Sequence, residues 1–69
     1  RLGEVVRIFA RNNYLQGFDQ LFSLGFITKE NVVEMIDIAG NVDNVEATSH
    51  LFELRRRFFG YDVMSEFDL

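Results

Sequence analysis

Residues 20–24 read "QLFSL" and residues 50–54 read "HLFEL". In a chain of 69 residues, a near copy thirty positions on is either an accident of composition or a second writing of one structural unit. The flanking residues weigh on the choice. At the same shift of thirty, Leu15 falls on Val45, Gly17 on Ala47, Leu21 on Leu51, Phe22 on Phe52 and Leu24 on Leu54. Upstream, a shift of twenty-nine puts Val6 on Met35, Phe9 on Ile38 and Ala10 on Ala39, and a one-residue difference in turn length reconciles the two shifts. Any two amphipathic helices match at some shift because both follow the same period, so the large apolar pairs prove little. The small pairs, Gly17 with Ala47 and Ala10 with Ala39, weigh more, since small residues at equivalent points let helices approach closely. The pairs Leu21–Leu51 and Leu24–Leu54 are accordingly expected to hold equivalent inner positions.

Apolar residues recurring every three or four positions predict four helices. The first carries Val5, Val6, Ile8, Phe9 and Ala10 and ends near Asn12 and Asn13, residues suited to turns. The second carries Leu15, Phe18, Leu21 and Phe22 and stops at Gly25, the residue type favoured just past a helix end. The third is expected to open at Thr28 as cap, with Glu30 in its first turn, and to end at Gly40-Asn41. For the fourth, Asp43 and Glu46 have capping-box spacing. Ala47, Leu51, Leu54 and Phe58 then form its apolar stripe, with Arg55, Arg56 and Arg57 before a closing Gly60.

A period near thirty built from two short helices is the mark of a helical solenoid. The expected fold is therefore all-α: two stacked helix-turn-helix repeats over residues 1–60, roughly 2–26 and 28–60, followed by a C-terminal segment, 61–69. That segment, "YDVMSEFDL", interleaves Tyr61, Val63, Met64 and Phe67 with acids and suits either a cap over the last helix pair or a motif that docks on a partner.

Over residues 4–57, the run "EVVRIFARNNYLQGFDQLFSLGFITKENVVEMIDIAGNVDNVEATSHLFEL", continued by the three arginines, resembles two degenerate ankyrin-like repeats. The Thr-Pro-Leu-His opening of that family is missing, and "GFITKE" at 25–30 is too short for its hairpin loop. The resemblance implies a protein-interaction scaffold, with another protein or adjacent repeats of the same chain as partner, and no chemistry. It places contacts along the turns and first helices of each pair, at Arg7, Arg11, Glu30, Glu34 and Asp37. A second resemblance covers less: "LFSLGF" at 21–26 is similar to the Met-Gly-Phe loop of the ubiquitin-associated three-helix domain, and "NVD" at 41–43 to its Asn-Val-Glu. There Leu51 falls about two residues late, and the fourth helix is too long. That resemblance implies ubiquitin contacts at Leu24, Gly25, Phe26 and the end of the last helix.

Composition limits the functions worth considering. Nearly half the residues are apolar, eight of them Phe, which is too apolar for a disordered segment. No apolar run approaches the roughly 20 residues that cross a bilayer. The absence of cysteine excludes disulfides and leans toward a reducing, intracellular compartment without fixing one. A chain opening at Arg1 rather than Met is expected of a segment of a longer polypeptide. The net charge of -4 is uneven: Arg1, Arg7 and Arg11 against Glu4 and Asp19 leave +1 on residues 1–27, four bases against six acids leave -2 on 28–60, and three acids leave -3 on 61–69. Such a chain repels phosphate backbones, so nucleic acid is not an expected partner.

No enzyme is expected. His50 is the one general-base candidate, with Glu46 and Glu53 one turn either side, and the expected role is a surface histidine paired with those carboxylates. Ser23, Ser49 and Ser65 sit in no nucleophile motif, and no phosphate loop or metal-spaced cluster occurs, so neither cofactor nor metal is implied. The Arg55–Arg57 run is expected to favour the helix dipole and to pair with Glu53 or the acidic tail.

Overall fold

The computed structural model describes residues 1–60, and the tail at 61–69, with the capping or docking role expected for it, lies outside the described residues. The described residues are all-α, with four helices and no strand: α1 (Leu2–Arg11), α2 (Leu15–Ser23), α3 (Val32–Gly40) and α4 (Val45–Phe59). Three residues join α1 to α2 and four join α3 to α4, the one-residue difference that the two shifts require.

Each helix end has a local cause. After α1, Asn13 takes the left-handed conformation (φ 54°). Its amide donates to the Ala10 carbonyl (3.2 Å), and the Tyr14 amide donates to that of Phe9 (2.8 Å). After α2, Gly25 (φ 84°) repeats the arrangement, with Gly25 N–H donating to Phe22 (3.1 Å) and Phe26 N–H to Leu21 (2.9 Å). These paired bonds satisfy carbonyls that a helix end otherwise leaves without partners.

The third helix begins later than its sequence suggests. Residues 28–31 close a separate turn, in which the Thr28 hydroxyl accepts from the Asn31 amide (3.3 Å) and the Asn31 side chain accepts from the Thr28 amide (2.8 Å). Regular helix follows from Val32. In α4 the cap moves by one residue: Asn44, not Asp43, is the N-cap, and its side chain accepts from the Ala47 amide at 3.2 Å. Asp43 instead takes φ 68° in the turn, a conformation that Asp tolerates better than most residues. Its side chain is thereby not the one that caps, and Glu46 accepts from the Asn13 side chain of the first turn (3.1 Å).

Helix neighbours are paired like on like. The main neighbours of α1 are α2 and α3, and those of α4 are α2 and α3, leaving α1–α4 and α2–α3 as the more distant diagonals. Phe22 on α2 is buried against Phe58 and Phe59 of α4, with ring centroids 5.4 and 5.7 Å away. Across the first pair, Phe9 meets Tyr14 and Phe18 edge-on, at 5.1 and 6.0 Å. All four matched small residues, Ala10, Gly17, Ala39 and Ala47, are buried.

The matched large residues divide: Val6 and Met35 are both buried, and Leu21 packs against the core that contains Leu51, but other pairs part. Leu54 is 1% exposed but Leu24 is 71% exposed, and Phe22 at 4% contrasts with Phe52 at 52%. Leu24 therefore does not share the inner position of Leu54. The first pair turns Phe22 toward the shared core and the second turns Leu54 toward it, so the matched residues fall on different sides of their helices.

Gly17 marks the tightest approach of α1 and α2. A Cβ there would lie 2.5 Å from two ring carbons of Phe9 and 2.8 Å from one of Tyr14. Gly17→Ala is expected to lower stability by about 1–3 kcal/mol through overpacking, despite the better helix propensity of Ala. Gly40 lies within α3, and a Cβ added there would meet nothing within 4 Å. There Gly40→Ala is expected to raise stability by about 0.5–1 kcal/mol. Urea unfolding of the two variants checks both signs.

Candidate interaction surface

The exposed face of α1 follows from its buried one. Val6 and Ala10 are fully buried, so the residue after each, Arg7 and Arg11, projects at four-residue spacing on the neighbouring exposed face. Both line a groove of about 500 Å³ whose other wall is the second turn, Asn41 to Val45.

Asparagines hold that groove together. The Asn44 side-chain amide donates to the Ala10 carbonyl at the end of α1 (2.8 Å) and to the Asn13 side chain (3.1 Å) while its oxygen caps α4. Asn13 in turn donates to Glu46. The turn of the first pair is thus tied to the turn of the second, and the groove floor is fixed by side chains rather than by loop length. Asp43 lines the groove together with the two arginines, giving it residues of both signs.

Of the five predicted contact residues, the fold brings Arg7 and Arg11 into one groove and leaves Glu30, Glu34 and Asp37 outside it. Those three are exposed on the second pair: Glu30 in the turn at 28–31, Glu34 and Asp37 one turn apart on α3. The groove residues Asp43 and Asn44 are not among the contacts that the sequence suggests. The role of Asn44 comes from contacts with residues more than thirty positions away, which no local pattern announces.

His50 is partnered differently from its expected role. Its Nε2 lies 2.7 Å from the Asp19 carboxylate of α2, so the pair bridges α2 and α4 instead of joining neighbours on one helix. Of the arginine run, Arg56 pairs with Glu53. That hydrogen bond, with smaller contributions from the charges of Arg56, Arg57 and His50, holds the Glu53 carboxyl below its ordinary value. Among the described residues no group of three His, Cys, Asp or Glu side chains could hold a metal ion. No helix among them is long and apolar enough to cross a membrane.

Comparison of the chain with protein-family models, with curated proteins and with solved structures finds no match in any of the three.

Asn44→Ala removes the cap and both bridging donors, and is expected to cost about 1–2 kcal/mol in thermal or urea unfolding. Asn44→Asp keeps the capping oxygen but has no side-chain N–H to give. If the bridge to α1 matters, the aspartate variant is also less stable than the parent; equal stability would reduce Asn44 to a cap.

Proposed function

We propose that this chain is a protein-interaction module of two stacked helix-turn-helix repeats, ankyrin-like in kind, that supports adjacent repeats or binds another protein. Residues 2–26 form one unit and residues 28–60 the next. The observation that carries the reading is the pairing of like helices, α1 on α3 and α2 on α4. In an up-and-down bundle with the same four elements, α1 and α3 would sit on a diagonal instead. The two turns support it as well, because Asn13 and Asp43, thirty positions apart, both take left-handed backbone immediately before a helix cap.

Binding falls on the turns and first helices, with Arg7 and Arg11 in the groove and Glu30, Glu34 and Asp37 exposed outside it on the second pair. Mixed charges at an exposed edge steer encounter and select partners more than they add affinity. Charge reversal tests this directly. Arg7→Glu/Arg11→Glu is expected to leave stability within the range of ordinary surface changes, about 0.5 kcal/mol, and to lose the proteins that the parent retains from a lysate of its source cells. Undiminished retention would remove the two arginines from the binding surface.

A second reading has one observation in its favour: Leu24 and Phe26 are 71% and 58% exposed on either side of Gly25, as a ubiquitin-contacting loop requires. A proton–nitrogen NMR titration with ubiquitin separates the two. Shift changes confined to residues 24–26 and the end of α4 would favour ubiquitin binding, and none at those residues would exclude it.

A further inference from the structure

The internal interface between the helix pairs leaves a copy of each of its halves on the outside. On α2, Phe22 is buried against α4 and Leu15 packs against the core. Thirty residues on, their counterparts Phe52 and Val45 are 52% and 78% exposed. In the other direction, Leu54 of α4 is 1% exposed and its counterpart Leu24, at the end of α2, is 71% exposed. One side of the molecule thus displays the counterparts of Phe22, which meets α4, and of Leu15, and the other displays the counterpart of Leu54, a core residue of α4.

Helix geometry places these residues on opposite outer sides. His50 faces α2 through Asp19, and Phe52, two residues on, lies about 200° further round α4 at 3.6 residues per turn. Val45 is seven residues before Phe52 and shares its side; Phe59, seven after, lies at the end of the helix with its ring 5.7 Å from Phe22 of α2, so the outer side runs over residues 45–52 alone. Asp19 marks the side of α2 that faces α4, and Leu24, five residues on and still in α-helical backbone, lies about 140° away. The first helices agree. Gly3 of α1 faces Ile38 of α3. Five residues from each, Ile8 and Val33 lie about 140° round their helices, and both are more than half exposed.

We propose that the chain stacks head to tail on a second copy of itself, the Val45–Phe52 side of α4 in one copy meeting the Leu24 side of α2 in the next. The contact repeats Phe22 as Phe52 and Leu54 as Leu24, while Phe58 and Phe59, the rings that meet Phe22, fall on Thr28 and Lys29 at the same shift and are not repeated. Charge selects this orientation: head-to-tail contact sets the +1 of residues 1–27 on the -2 of residues 28–60, whereas a two-fold contact sets like on like. Such an interface is heterologous, so it propagates rather than closing at a dimer. The proposal rests on the repeat reading of the chain and names a partner for it.

Sedimentation velocity of the full chain over a concentration series tests it. The parent is expected to rise above monomer mass, whereas Phe52→Asp alone and Leu24→Asp alone remain monomeric, each having lost one half of the contact. Mixed in equal amounts, they regain association, because each supplies the half the other lacks, and the mass stops at twice the monomer. Both sites are more than half exposed, so the variants are expected to keep the parent's circular dichroism and thermal midpoint. Phe52→Lys, which removes the ring while lowering the net negative charge, is expected to be monomeric too. A parent that stays monomeric throughout the series overturns the proposal, as does a Leu24→Asp variant that still associates, or a mixture that does not. A parent that associates but retains no other protein leaves self-stacking standing and removes the wider binding reading; a monomeric parent that retains partners does the reverse.

Discussion

None of the four helices can stand alone. Three of them have nine or ten residues, below the length at which an isolated helix persists in water, and each presents a single apolar face. What the structure depends on is therefore the burial of one helix pair on the other. Val6, Phe18 and Phe22 from the first pair and Val32, Leu51 and Leu54 from the second share one core. Within the first pair, α1 and α2 come nearest at Gly17, because the Phe9 ring occupies the space of its missing side chain.

Packing one pair on the other needs the two turns held together, and here asparagine does it. A side-chain amide carries both donor and acceptor. Asn44 uses the acceptor to start α4 and the donors to reach the end of α1 and the first turn. The second pair is thus positioned by hydrogen bonds as well as by apolar contact. The groove containing Arg7 and Arg11 is a by-product of that tie, since its walls are the end of α1 and the turn that Asn44 secures.

The limits of reading this chain locally are visible in particular residues. The left-handed stops at Asn13, Gly25 and Gly60 are legible because only a few residue types tolerate that backbone. The capping-box spacing of Asp43 and Glu46 misleads: two candidate caps stand side by side, and distant partners favour Asn44. His50 misleads for a similar reason. Its neighbours along the helix are visible in sequence, and the carboxylate it meets, Asp19, is thirty-one positions away. For the interaction surface, exposure of Arg7 and Arg11 follows from the helix period, but their sharing of one groove with Asp43 does not.

The sequence by itself determined four helices, their stops, the faces they must bury and the thirty-residue echo between their second members, because all of these are set by backbone preference and apolar period. Only the tertiary structure decided which echoes are buried. Phe22 and Leu54 lie inside, and Phe52 and Leu24 lie outside, although the repeated pattern treats each pair as the same. Each helix pair turns one side to the shared core, and residues matched in sequence need not lie on that side in both pairs, so they meet unequal surroundings in space.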